Sequence, residues 1–408
     1  MTEKDLRIAI IGAGIGGFTL ALALREQGIH AEIYEAAPEL TEIGAAVAQS
    51  ANATKVLRRL GLLEQLTDVA TSPTELIYRD GRSGAYIARQ PVRQDNWYEN
   101  RFGAPYYGVH RADLQRVLGG AFGSHGLHLG CRLESLTEDA DGVHLKFDNG
   151  RTADADIVIG ADGIRSVVRP YVTGSDNDLI YTGTSGFRGI VPMDKLNLLP
   201  DPEAIQFWMG PDAHLLHFPI GGNASDVNFL AVVEGPSEWH GPKWQADAAA
   251  EERLEPFQGW HPAVTEMIDL VPHSIRWGLF VLRPLTRWYQ GRKVLLGDAA
   301  HAMLPHHGQG ANTTIEDAYV LATLLATARL DRLDETFAQY QDLRRTRTRQ
   351  IARSSLVTND LLHVQDGADI PARNQKMVEF PQRFSWIHDY DATAVVPTSP
   401  LPALVSAP

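Results

Sequence analysis

The stretch RIAIIGAGIGGFTLALALREQGIHAEIYE, residues 7–35, constrains the fold more than any other segment. Arg7 to Ile11 is a short β-branched run ending at glycine, so it predicts a buried strand. Gly12, Gly14 and Gly17 then spell G-x-G-x-x-G. A helix-period segment, Phe18 to Gln27, follows and stops at Gly28, and Ala31 to Tyr34 predicts a second strand ending at Glu35. This order is that of an α/β chain with a parallel sheet. In such a unit the first glycine makes the tight turn and the second lets backbone approach a pyrophosphate. The third lets helix and strand pack closely. The pyrophosphate rests on the positive helix N-terminus. Glu35, 18 residues after Gly17, stands where an acid accepts from ribose hydroxyls. The motif alone does not separate FAD from NAD. A second glycine-rich stretch, GTSGFRG (183–189), has no helix-period segment after it.

Two later stretches repeat the strand-then-loop plan. DADIVIGADGIRSVVR (154–169) is an apolar strand ending at Asp162, with Ser166 and Arg169 at a helix start. Ligands of open α/β sheets bind at the carboxyl ends of strands, where Asp162 falls. A helix-capping role for Asp162 is the alternative. GDAAHAMLPHHGQGANTTIEDA (297–318) follows the apolar run Val294–Leu296. Asp298 suits a ribityl or ribose hydroxyl, and the amides of Gly308 to Asn312, before a helix from about Thr313, suit an electron-rich ring edge. VHRADLQRVL (109–118) places Arg111 at the start of an amphipathic helix, within reach of a phosphate.

The net charge of −13 supplies no basic field for nucleic acid or for an anionic membrane. Ile8 to Leu24 is uncharged for 17 residues, but it is short for a membrane span and holds four glycines. The lone cysteine, Cys131, permits neither an internal disulfide nor a cysteine metal cluster, so no metal site and a reducing, cytoplasmic setting are expected.

Together, and in this order, G-x-G-x-x-G, GADG and GDAAH…GQGAN…EDA make the chain resemble the class A FAD-dependent aromatic hydroxylases, the para-hydroxybenzoate hydroxylase-like flavoprotein monooxygenases, over about residues 5–355. It looks nearest to the branch with salicylate hydroxylase and 6-hydroxynicotinate 3-monooxygenase. The resemblance implies a Rossmann-like FAD-binding domain of the GR2 type with an inserted antiparallel substrate sheet and a long C-terminal helix. It implies bound FAD, with NADH or NADPH as transient co-substrate. Gly12, Gly14 and Gly17 would hold the pyrophosphate, Glu35 the adenosine ribose, and Arg111 the pyrophosphate again. Asp162 would lie near both cofactors and Asp298 at the ribityl chain. Gly310, Ala311 and Asn312 would present amides to the flavin, and Val47 its backbone to the ring.

The expected domain division follows from this likeness: 1–75, 100–175 and 275–360 bind FAD, and 76–99 plus 176–274 bind substrate. AIQFWMG, AHLLHFPIG and VNFLAVVEG alternate apolar and polar residues, predicting an antiparallel sheet with one buried face. A long helix is expected from Leu333 to about Val357, with Arg344, Arg345, Arg347, Arg349 and Arg353 solvated or paired to the acidic surface. Residues 361–408 form a partly flexible extension, with 393–408 as a tail.

The family reaction implies O₂- and NAD(P)H-dependent hydroxylation of a small aromatic or heteroaromatic acid through a flavin C4a-hydroperoxide. Such a site needs a base or hydrogen-bond acceptor at the substrate hydroxyl. His306, beside Pro305 in LPHHGQG, and His214 match substrate-pocket histidines of the near branch. His titrates near neutral pH, so either could serve. His307 or His217 could instead be the inward ones, and His301 is expected to be structural. Pro305 keeps a family proline, whereas Ala302, Phe218 and Ala48 depart from the branch. The last two argue against 6-hydroxynicotinate as substrate. Arg188 is a candidate cation for a ring carboxylate, or a sheet arginine paired to an acid. A flavin-dependent reductase or a non-hydroxylating FAD redox or binding protein is the alternative. Monomer and homodimer are both open.

Overall fold

The computed structural model describes residues 6–40, 46–175, 179–241, 244–271 and 275–396. A six-stranded sheet runs, in spatial order, Tyr289–Gln290, Lys293–Leu295, Ile157–Gly160, Ile8–Ile11, Ala31–Tyr34 and Leu127–His128. Its pairs are parallel except the edge hairpin of the first two strands. The central strands Ile8–Ile11 and Ile157–Gly160 are buried at every position, as in a parallel sheet covered on both faces. One cover is the helix Ile15–Glu26, which packs against the helix Gly310–Leu325. The first of these helices starts three residues before the predicted Phe18, so Gly16 and Gly17 are helical. A Cβ at Gly16 would come within 2.6 Å of the Thr314 side chain, which is why the crossing needs glycine.

The second large sheet has eight strands, ordered Gln245–Asp247, Ile275–Leu282, Leu179–Pro192, Asp226–Glu234, Ala213–Ile220, Ile205–Gly210, Glu75–Asp80 and Tyr86–Pro91. It is antiparallel except where Ile205–Gly210 runs parallel to Glu75–Asp80. The stretch GTSGFRG is an interior part of the strand Leu179–Pro192. The expectation of one buried face is corrected. Ile205–Gly210 is buried throughout. Phe187, Trp208, Leu215 and Phe229 pack with Trp260, Val264 and Met267 around the helix Pro262–Asp269. On the opposite face Tyr78, Phe207 and Phe218 pack with Met377 and Phe380 of the helix Ile370–Arg383.

The helix Leu333–Leu362 is 30 residues long. Its arginines do not all reach the surface. Arg344 is 0 % exposed and Arg347 is buried with it, because the internal carboxylates of Glu316 and Asp317 receive them. The C-terminal extension also carries structure that its Pro-rich composition hid. The helices Ile370–Arg383 and Ser385–Asp389 and a turn at Ala392–Ala394 follow, and Val396 packs on the core. The rest of the expected tail, 397–408, lies outside the described residues.

Candidate active site

The glycine loop sits at the carboxyl end of the strand Ile8–Ile11. Gly12 has φ 108°, and a Cβ there would fall 2.6 Å from the Ala161 carbonyl oxygen. A Cβ at Gly17 would collide with the Gly12 carbonyl at 1.9 Å. At Gly14 nothing lies within 4 Å, so the helix N-terminus there faces open space. One Glu35 oxygen accepts from the Ala13 N–H at 2.8 Å and the other from Ala37 at 2.8 Å. The acid therefore closes on the glycine loop, beside the same strand ends.

Asp162 lies on the neighbouring strand end. Its Oδ2 accepts from Val167 at 2.7 Å and Val168 at 3.2 Å, so it does brace the following turn. Its Oδ1 is buried with no partner in the described structure. Burial raises this carboxyl above its ordinary range, against those N–H donors and Ser166. Arg169 donates to the Ala299 and Ile164 carbonyls, tying this loop to the 297–302 segment.

Gly297 turns with φ 63°, and a Cβ there would meet the Thr314 hydroxyl at 2.6 Å. Asp298 opens a four-residue helix, Asp298–His301, and its Oδ1 is 3.9 Å from where a Gly310 Cβ would stand. Asp298 and the start of the helix Gly310–Leu325 thus flank one opening. The N–H groups of Gly310 and Ala311 have no i−4 carbonyl to reach. The Asn312 side chain has other work. It donates to the Ala48 and Gly308 carbonyls at 2.8 and 2.7 Å and accepts from Ser50 N–H at 3.0 Å. It staples the strand Ala46–Gln49 to the loop. Val47, in that strand, is registered against Val109.

Glu316 and Asp317 hold these loops from behind. Asp317 accepts from Arg344 Nε at 2.6 Å, from His301, and from the Gly297 N–H at 3.3 Å. Glu316 accepts from Arg344, Arg347 and Asn52, and Asn52 also donates to Gln309 at 3.0 Å. Burial raises both carboxyls, but the arginines, Asn52 and His301 outweigh it and hold them below the carboxylate range. His301 is structural in this sense.

A cavity of about 80 Å³ lies between the loop and the second sheet. Ala48 and Gly308 form its floor, and Phe207, Leu216 and Phe218 its sheet wall. Pro305 begins the tight turn Pro305–His307 that brings His306 and His307 to it. His306 is 3 % exposed and neither ring nitrogen has a hydrogen-bond partner; Asn359 approaches it without reaching bonding geometry. Burial pushes its pKa down to about 3. His307 is pushed to about 4 by burial, stacks near Phe380 and Phe384, and meets Thr358 at 3.2 Å. His214 stands edge-on to His306, with ring centroids 5.0 Å apart. His217 points to the other face of the sheet, beside Trp208 and Arg79, and is not part of this group.

A larger cleft, about 430 Å³, lies at the amino ends of the parallel strands near Arg7, His30 and Asp154. Ligands of such sheets bind at the opposite ends, so it is not the site.

An FAD binding domain family model matches residues 5–355. The chain belongs to the class A FAD-dependent aromatic hydroxylases. It is 36 % identical to 3-amino-4-hydroxybenzoate 2-monooxygenase of Streptomyces cremeus, over 97 % of this chain and 98 % of that one. It is 34 % identical to salicylate hydroxylase of Pseudomonas putida, over 95 % and 93 % of the two chains. Among solved structures, Klebsiella pneumoniae HpxO complexed with FAD and uric acid superposes with a TM-score of 0.82 at 29 % identity, covering 94 % and 96 %.

This flavoenzyme has groups that fit FAD. The open space at Gly14 and the partnerless Asp162 Oδ1 lie at the strand ends, and the first turn of the helix Gly310–Leu325 leaves its N–H groups without i−4 carbonyls in that helix. Arg188 adds a cation. It is half-buried over Trp277, with its Nε unpartnered and no ion pair among the described residues. Burial and the nearby charge of Arg111 lower its pKa to about 10, so it stays charged at neutral pH. It is therefore not the acid-paired sheet arginine that its position in the strand also allowed. No sequence motif pointed to His363, His388, Tyr98, Phe380 or Phe384. His388 meets the Tyr98 hydroxyl at the cavity, and Phe380 and Phe384 form another wall. They come from a segment with no glycine-rich or paired-acid signature.

Proposed function

We propose that this monooxygenase hydroxylates a single-ring hydroxyaromatic acid of the hydroxybenzoate type, using NADH or NADPH and O₂. The carrying observation is the small cavity lined by His306, His307 and His388 beside Ala48 and Gly308, with His214 packed edge-on against His306. At about 80 Å³ it excludes multi-ring ligands, and its side chains must move to admit a single ring, since a cavity of about 150 Å³ takes benzene. The names of the relatives, which act on 3-amino-4-hydroxybenzoate and salicylate, agree with that class. Ala48 and Phe218 at the cavity are the positions that argued against 6-hydroxynicotinate.

Bound FAD would supply hydride acceptance and oxygen activation. In this reading Gly12, Gly14 and Gly17 with the helix N-terminus hold the pyrophosphate, with Arg111 above it. Glu35 takes the adenosine ribose and Asp298 the ribityl chain. Gly310 and Ala311 offer amides to the ring, Asn312 fixes their loop, and Val47 borders the ring through backbone. Asp162 serves both cofactors. Arg188 neutralises an anion, the ring carboxylate in our reading. His306 accepts the hydroxyl proton, with His214 behind it. The reading keeps FAD-binding segments 1–75, 100–175 and 275–360 and substrate segments 76–99 and 176–274, with the strand Ile275–Leu282 crossing that division to pair within the eight-stranded sheet. No helix of the described residues is long and apolar enough to cross a membrane. The lone Cys131 is buried and free, which fits a reducing, cytoplasmic setting, and the reading takes the protein as monomer or homodimer.

The test is direct. The purified protein should be yellow and release FAD. With NADH or NADPH, 3-amino-4-hydroxybenzoate, salicylate and 4-hydroxybenzoate should be tried for stimulated oxygen uptake and hydroxylated product. Stimulation with a matching product supports the reading. Peroxide alone with every ring, or no stimulation by any of them, overturns it.

A further inference from the structure

We infer that His214, His363 and Glu234 form a proton path that carries the substrate's hydroxyl proton from His306 to solvent. The inference rests on the reading that a hydroxyaromatic acid fills the cavity. His214 Nδ1 lies 2.7 Å from His363 Nε2, and His363 Nδ1 lies 2.5 Å from Glu234 Oε1. His214 is 1 % exposed and the His363 side chain 4 %, whereas the Glu234 side chain is 41 % exposed. The row therefore runs from a dry interior to water. Two paired strands and a distant helix end build it: the strand Ala213–Ile220, the end of the strand Asp226–Glu234, and the C-terminal cap of the helix Leu333–Leu362.

The Glu234 charge fixes the tautomers along the row. Glu234 accepts from His363 Nδ1–H, so His363 Nε2 carries the lone pair and accepts from His214 Nδ1–H. His214 Nε2 is then left as a proton acceptor. The bond from His363 also holds the Glu234 carboxyl below its ordinary range, in the ionised form this arrangement needs. His306 needs such an outlet. An imidazole held near 3 by burial does not keep a proton at neutral pH. The transfer balances. The substrate O–H bond breaks and its proton joins His306, which turns to hand it to His214 Nε2. The Nδ1 proton of His214 moves to His363 Nε2, and the Nδ1 proton of His363 moves to Glu234 and on to water. Other groups facing the row are few. His307 adjoins His306, Asn359 donates toward Glu234 at 3.4 Å, and the Asp212 carbonyl accepts from the Glu234 N–H.

Two measurements on the FAD-loaded enzyme test this. Nitrogen NMR of ¹⁵N-histidine-labelled protein should show Nδ1–H tautomers at both His214 and His363, lost in Glu234→Met, which removes the acceptor. An Nε2–H tautomer at either residue in the wild type overturns the path, whatever the substrate. The second uses 4-hydroxy-3-nitrobenzoate, whose phenolate is coloured, bound to oxidised enzyme without nicotinamide. After a pH jump, ionisation of the bound ring should slow about tenfold or more in Glu234→Gln and His363→Gln, with binding and FAD content kept. Equal rates in wild type and both variants overturn the path. If the wild type does not bind the probe, the hydroxybenzoate reading fails, and the NMR result still decides the path.

Discussion

Replacing Arg344 with methionine tests whether the buried charges behind the site hold its loops. The side chains of Arg344, Glu316 and Asp317 are all 0 % exposed. Arg344 donates to Asp317 at 2.6 Å, to Glu316 at 2.5 Å and to the Tyr390 hydroxyl at 2.9 Å. Methionine keeps much of the volume and none of these donors. Glu316 would retain Arg347 and Asn52, but Asp317 Oδ1 would lose the Arg344 Nε donor. Removing one partner of a buried ion pair costs about 3–5 kcal/mol, because a charge is left uncompensated. A domain's whole stability is about 5–15 kcal/mol, so Arg344→Met should remove a large part of it. Urea unfolding followed by circular dichroism and flavin fluorescence would measure this. Flavin release should shift with the unfolding midpoint, since Asp317 also holds the Gly297 N–H. Arg58→Met, which breaks an exposed pair with Glu99, should leave both curves in place. A loss below about 1 kcal/mol in Arg344→Met would refute the argument that this network holds the site together.

The other predictions are simpler. Asp298→Ala should weaken FAD binding by about tenfold or more, read by flavin titration of the apoprotein; unchanged affinity removes Asp298 from the flavin site. His306→Ala should keep FAD and uncouple nicotinamide oxidation from product, and normal coupling would remove His306 from the mechanism. Acid should destabilise the fold earlier than carboxylate titration alone. Burial lowers His217, His306 and His388 to about 3 and His307 to about 4. Their stabilising effect is complete above the unfolded value of about 6.5 and is lost as pH falls toward the folded values, by up to about 1.4 kcal/mol per histidine per pH unit. Urea midpoints should hold between pH 7.5 and about 6.5 and fall from there to 4.5; a flat profile from 6.5 to 5 would contradict the burial of these rings.

Local order made the first βαβ unit legible. The strands Ile8–Ile11 and Ala31–Tyr34 come from short apolar runs, and the turn between strand and helix from Gly12 and Gly17, where a Cβ would collide with backbone. The Asp298 and Gly310 juxtaposition was legible for the same reason, because both lie on one short segment. Arg344 was misread although its position carried a signal. Leu333, Phe337, Tyr340, Ile351 and Leu362 are buried at helical spacing, and Arg344 falls on that stripe. Charge suggested solvent, while periodicity pointed inward. The parallel pairing of Ile205–Gly210 with Glu75–Asp80 joins strands far apart in sequence, and no local pattern encodes it. His363 and His388 were invisible for that reason too: each is a lone histidine until tertiary contacts bring it to a partner.

The family model's match ends at residue 355, while the likeness to 3-amino-4-hydroxybenzoate 2-monooxygenase covers 97 % of the chain, and Phe380, Phe384 and His388 wall the cavity from that last stretch. Part of the cavity wall therefore comes from a stretch that is also tied to the flavin scaffold, through Tyr390 on Arg344 and the Ile387 carbonyl on Arg347. Phe380 and Phe384, which bond to neither arginine, are the positions in it where ring selection can change apart from the nucleotide cradle. A laboratory can change it there, by exchanging those two residues between relatives and sorting the variants by the ring they accept.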